Sequence, residues 1–229
     1  MLHTRYIGIR MGTKGVGSMS NLVITIGRQY GSAGRQIGQQ LAADLGIKCY
    51  DKELLAVAAK ESGLCHELFE SHDEKPTNSF LYSLVMDTYS MGYNTSGYMD
   101  MPINHKVFLA QFDAIKKLAE QESCVIVGRC ADYALEEYDG AFSVFIHARL
   151  ENRMKRIKRL YNLTDEKAKD LILKTDKKRA SYYNYYSSKK WGDAKSYDLS
   201  VDSSLLGIDG TVALIKQYID IRKQGHKFE

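Results

Sequence analysis

The chain has 229 residues, 44% of them hydrophobic and 26% charged, enough for a single domain that buries a full core without disulfide staples. It contains no run of about 18 apolar residues, so no membrane-spanning helix is expected. The formal net charge of +4 suits an anionic ligand without demanding one.

Residues 1–20 are basic and small with no apolar signal core, and read as a flexible leader to a single domain over 21–229. From there, short apolar runs alternate with helical patterns, the signature of a parallel α/β sheet. The expected strands are Leu22–Ile26, Ile47–Tyr50, Cys124–Val127, Phe142–Ile146 and Tyr197–Val201. Each is mostly apolar, as suits strands covered on both faces. After the first strand comes a small-residue loop, then a helix with Ile37, Leu41 and Leu45 on one stripe and Gly46 as its stop signal. Residues 52–120 read as mostly helical. They are broken by a turn at Lys75-Pro76-Thr77-Asn78 and by a Gly-, Tyr- and Ser-rich loop over 91–102. Residues 149–190 read as two helices, the second capped by Thr164 ahead of Asp165 and Glu166.

The four cysteines, Cys49, Cys65, Cys124 and Cys130, lack metal-like spacing and are expected to be reduced thiols of a cytoplasmic protein. His66, His72, His105 and His147 also lack ligand spacing.

The segment Gly27-Arg28-Gln29-Tyr30-Gly31-Ser32-Ala33-Gly34-Arg35-Gln36 joins a buried strand to an amphipathic helix. Small residues let the backbone approach a phosphate, and the helix N-terminus adds positive potential. Arg28 to Gln36 are therefore the candidate phosphate-binding residues. The segment departs from the regular phosphate-loop pattern. Gln29 stands at the leading glycine, Arg35 at the lysine, and Gln36 at the hydroxyl residue that normally touches Mg²⁺. A strand-to-helix turn whose glycines serve packing alone is the competing reading.

Further motifs extend the pattern. Tyr50-Asp51-Lys52-Glu53-Leu54, Gly128-Arg129, Asp176 with Arg179, Tyr182 and Tyr183, Trp191-Gly192 and Tyr197-Asp198-Leu199 follow the loop in order. Together they resemble the cytidylate kinase-like family over about residues 21–218. The resemblance implies a P-loop NTPase fold: a five-stranded parallel sheet flanked by helices, a helical acceptor-binding insertion over 52–120 and a lid arm over 149–190. It also implies ATP, with Mg²⁺, as phosphoryl donor and a small acceptor such as CMP. Regular cytidylate kinases carry Asp where this chain has Cys130.

Arg35 is the candidate for bridging the outer phosphates, as a guanidinium can do bidentately. Asp51, at the carboxyl edge of the second strand, would orient the acceptor or a metal-bound water, or cap the following helix. Arg129 would contact the acceptor phosphate or lie in a surface ion pair. Arg149, Arg153 and Arg156 fall on one helix flank, at about 100° per residue, where Arg153 and Arg156 could cover a transferring phosphate. Asp176, Arg179 and Tyr183 share a face, with Arg179 completing the clamp and Asp176 holding its guanidinium. The paired tyrosines and Trp191 could stack on a base or pack the helix against the core.

Three other functions stay open. One is a P-loop kinase of a non-nucleotide small molecule. Another is a nucleotide-binding protein without turnover, which Gln36 motivates. The third is nucleic-acid binding through Lys177 to Trp191, which the modest charge disfavours, so no nucleic-acid partner is expected.

Overall fold

The computed structural model describes residues 20–74 and 102–225. In chain order the elements are β1 (Val23–Arg28), α1 (Gly34–Leu45), β2 (Lys48–Tyr50), α2 (Glu53–Ser62), α3 (His66–His72), α4 (Ile103–Gln121), β3 (Cys124–Val127) and α5 (Ala131–Ala134). They continue with β4 (Ala141–His147), α6 (Leu150–Tyr161), α7 (Asp165–Ser187), β5 (Leu199–Asp202) and α8 (Ser203–Lys223).

The five strands are parallel, in the order β2-β3-β1-β4-β5. Side chains alternate across each strand, and here both faces are apolar. Ile24 and Ile26 of β1, Val125 and Val127 of β3, and Val144 and Ile146 of β4 meet Ile37 and Leu41 of α1 and Val212 and Ile215 of α8. Val23, Cys124 and Ile126 turn the other way, onto Leu54, Ala58, Val107 and Ile115 of α2 and α4. Ile37 and Leu41 are fully buried, which stabilises the fold by roughly 1.5–3 kcal/mol each. That burial explains why the stripe seen in the sequence forms a helix. Gly46 ends α1 in the left-handed region at φ 66, with its N–H bonded back into the helix.

A third cluster seats the end of α7. Tyr182, Tyr183 and Tyr186 are buried with Phe108, Phe145 and Tyr197, and Tyr186 stacks on Phe108 with centroids 3.9 Å apart. Trp191 meets Phe145 edge-on. These rings pack the helix, so the packing alternative for the tyrosine pairs holds for these three.

Four of the strands differ from the expected bounds by one or two residues at an end, because ladder hydrogen bonds are made by the backbone and do not stop where the apolar run stops. Thr164 caps α7 through Lys167 N, as expected. The helix α8 carried no expectation. Gly207, with φ 66 and ψ −170, breaks its first turns and hides the pattern. The leader through residue 19, the Lys75–Asn78 turn and the loop up to 101 lie outside the described residues. Among the described residues, no helix is long and apolar enough to cross a membrane.

Candidate active site

β1 lies at the centre of the sheet, and the chain moves to opposite sides of it before and after β3. Such switch points open a crevice at the carboxyl ends of the strands. The loop from Gln29 to Ala33 sits there. Gln29 N donates to Ile146 O at 3.0 Å, and Ala148 N donates to the Gln29 amide oxygen at 3.2 Å. Ser32 is buried, its hydroxyl directed at Gln29 O (2.9 Å) and Ile146 O (3.0 Å), while Ser203 Oγ donates to Ser32 O. The side chains of Gln29, Ser32 and Ser203 therefore brace the loop against β4, the residue after it and α8.

The backbone takes positive φ at Gly31 (84) and Ala33 (65). A Cβ on Gly34 would lie 2.5 Å from Arg28 Cβ, so the chain can turn there as glycine alone allows. Ala33 at the N-cap offers no side-chain hydrogen bond, and no acid stands in the first turn of α1. The first N–H groups of a helix lack intrahelical acceptors. Those of α1 are thus left for an anion, at the wall of a cleft of about 540 Å³ that the loop, Arg35, Gln36, Asp51, Arg129, Arg156, Tyr161 and Arg179 line. Arg35 is half exposed and its Nε lies 2.9 Å from Asp51.

Three arginines, from β1, the turn after β3 and α7, meet on one side of this cleft. Gly128, Arg129 and Cys130 all take positive φ (82, 55 and 54), a strained turn directly after β3. It lays Arg129 inward, with 2% of its side chain exposed. Its guanidinium holds Asp73 bidentately at 3.0 and 2.9 Å and Asp51 at 3.3 Å. Arg129 is therefore a buried node, not the surface ion pair of the alternative. Arg28 crosses the end of β3 because Gly128 has no side chain: a Cβ there would sit 2.1 Å from Arg28 Nη1. Arg28 Nη1 reaches Glu74 at 2.9 Å, and Arg179 Nε lies 3.5 Å from the same carboxylate.

The electrostatics follow from this crowding. Burial opposes the charge on Glu74, but Arg28, Arg179 and Arg129 outweigh it and hold the carboxyl well below the usual range. Burial, then the neighbouring Arg28 charge, lowers Arg179 to about 10. Asp51 does not cap α2. Its carboxylate is taken by Arg35 and Arg129, and Glu53 accepts from Asp51 N instead.

The arm pairs its charges differently from the sequence expectation. Asp176 holds Arg153, not Arg179, and also accepts from Tyr30 N at 2.7 Å. Arg153 is buried and donates to Tyr30 O as well, so it ties α6, α7 and the loop together. Arg156 alone of the two lies in the cleft wall, bonded to the Gln36 amide oxygen. Arg149 is exposed, 3.9 Å from Asp202. Tyr183 lies behind the arginines and donates to Asp132 at 2.6 Å. Burial raises Asp132 to about 6 despite that bond.

Sequence reasoning missed Asp73, Glu74 and Asp132. Their arginine and tyrosine partners lie at least 46 residues away in sequence, so no local spacing announces them.

A loop of open amides on a five-stranded parallel sheet in this strand order, with helices on both faces, is the fold of P-loop kinases. The chain belongs to the cytidylate kinase-like family, whose profile matches residues 23–205. It is similar to the cytidylate kinase of Pyrococcus furiosus, with 26% identity over 87% of this chain and 88% of that one. The cytidylate kinase of Thermococcus kodakarensis is 25% identical over the same shares. Among solved structures, an uncharacterized protein from Eubacterium ventriosum superposes with a TM-score of 0.64 and 28% identity, covering 87% of this chain and 99% of that one. A shikimate kinase from Bacteroides thetaiotaomicron shares the fold, with a TM-score of 0.50 and 15% identity over 87% and 98% of the two chains.

Proposed function

We propose that the chain transfers the γ-phosphoryl group of ATP to a small acceptor, a nucleoside monophosphate such as CMP. One observation carries this reading: the uncapped amides of α1 and the cluster of Arg28, Arg129 and Arg179 line a single crevice. A donor phosphate chain and an anionic acceptor can lie there side by side.

Residues 28–36 would hold the ATP phosphates through the backbone, and Arg35 and Arg156 would neutralise their outer charge. Phosphoryl transfer asks mainly for positioning and charge stabilisation. Arg129 and Arg179 would fix the acceptor phosphate. Asp51 would set the direction of Arg35 and Arg129, which it already contacts. The 52–120 stretch would form the acceptor wall, and the 149–190 arm would close over the phosphates and exclude water.

Among the described residues, no protein-held Mg²⁺ site is formed. Gln36 replaces the usual hydroxyl and is engaged by Arg156. Asp51, Asp73, Glu74 and Asp176 are each paired with arginine. Among the described residues, no group of three or more His, Cys, Asp or Glu could hold a metal. Any Mg²⁺ would then be bound chiefly by the phosphates of ATP. Gln36 in place of that hydroxyl residue supports a second reading, nucleotide binding without turnover.

Calorimetric titration with ATP tests the donor site. The wild-type chain should bind ATP, and Arg35→Ala should lose at least tenfold in affinity, the cost of one charged hydrogen bond. Unchanged binding in the variant would remove the donor site from residues 28–36.

A further inference from the structure

The acceptor-side arginines already hold an anion, and it comes from the chain itself. Asp73 and Glu74 follow α3 directly. Asp73 binds Arg129 with both carboxylate oxygens, and Glu74 lies between Arg28 and Arg179. Two adjacent carboxylates thus sit among three guanidiniums, where an acceptor phosphate would otherwise lie.

The fit is imperfect in three ways. Among the described residues, Arg179 Nε is buried without a hydrogen-bond acceptor: the Glu74 carboxylate stands at 3.5 Å, outside hydrogen-bond geometry. Glu74 is held at φ 51, a left-handed conformation that costs a residue with a side chain on the order of 1 kcal/mol. The two carboxylates are also neighbours of like charge, and burial together with the Glu74 charge makes Asp73 harder to ionise despite Arg129. A phosphate dianion carries the same charge on one centre, with three oxygens for three guanidiniums. Lys178 Nζ, which donates to Asp73 O at 3.0 Å, is a fourth cation at the same place.

We propose that Asp73 and Glu74 are a resident anionic plug that the acceptor's phosphate displaces, so that acceptor binding and release of α3 from the arginines are one event. The inference rests on the acceptor reading given above. It narrows the acceptor to molecules bearing a phosphate dianion, because a neutral acceptor leaves the plug in place. It also couples the acceptor site to the helices α2 and α3, which would move only when the charge that replaces them has arrived.

The test is calorimetric titration of the wild-type chain and of the Asp73→Asn, Glu74→Gln double variant with CMP, cytidine and orthophosphate. Hydrogen exchange of residues 66–74 is followed in the wild type with and without each ligand. Removing the plug should tighten CMP and orthophosphate by about tenfold or more, within the usual range of coupling between competing contacts. Cytidine should gain nothing. In the wild type, CMP should speed exchange over 66–74. That readout separates displacement from a general charge effect, and it holds if the variant does not fold. Equal phosphate affinity in both proteins, or exchange slowed by CMP, overturns the plug. Tightening of orthophosphate without any CMP binding keeps the plug and removes the nucleotide acceptor. Failure of both CMP and orthophosphate to bind either protein removes the acceptor site itself.

Discussion

Burial pushes the Asp132 carboxyl from its ordinary 3.8 to about 6, against the hydrogen bond from Tyr183. A carboxyl with a raised folded pKa binds its proton more tightly in the folded chain. Stability therefore falls as pH rises from about 4 to about 6, and the loss is complete above that. Asp132→Asn should remove this slope. Thermal denaturation should show the variant gaining on the wild type across that window, by an amount on the order of 1–3 kcal/mol. A gap that does not change with pH would mean that Asp132 ionises normally. Glu74 acts in the opposite sense and in another window. Its depressed pKa gives stability that is present above about 4.5 and lost as the pH falls further. Gly128 is the third position where single-residue chemistry decides the site. Its φ of 82 and the 2.1 Å that would separate an added Cβ from Arg28 Nη1 predict that Gly128→Ala costs about 1–3 kcal/mol in chemical denaturation.

The helix α6 places two arginines three residues apart in different roles. Arg153 is buried against Asp176, and deleting one member of a buried pair leaves the other charge uncompensated. Arg153→Ala should lower unfolding stability by about 3–5 kcal/mol. Arg156 faces the cleft and bonds Gln36, so Arg156→Ala should change stability by less than about 0.5 kcal/mol while weakening ATP affinity. Equal stability losses in the two variants would contradict this division. Helical periodicity put both residues on one flank, but it could not say which one the arm buries. That depends on Asp176 and Tyr30, which approach from α7 and the loop between β1 and α1.

The sheet was legible because its strands are covered on both faces and read as uninterrupted apolar runs. Cys124–Val127 matches its expected bounds, and Ile37 and Leu41 lie in the core as their spacing implied. The loop was legible for a related reason. Close packing at Gly34 and positive φ at Gly31 restrict residue choice, so small residues mark the place. The charge network was not. Arg28 with Glu74, Arg129 with Asp73 and Tyr183 with Asp132 are assembled by the strand order, which brings together residues from distant parts of the chain. The helix α8 escaped because Gly207 interrupts the periodicity that would have revealed it.

The crevice at the carboxyl edge of β1 joins these parts into one expected activity. The direct test is to incubate the purified chain with ATP and Mg²⁺, alone and with CMP, dCMP, UMP, AMP or GMP, and to separate the nucleotides by ion-exchange chromatography. Stoichiometric appearance of ADP and CDP, dependent on CMP, is the predicted result. An unchanged ATP peak with every acceptor, from protein that binds ATP, would contradict phosphoryl transfer to a nucleoside monophosphate.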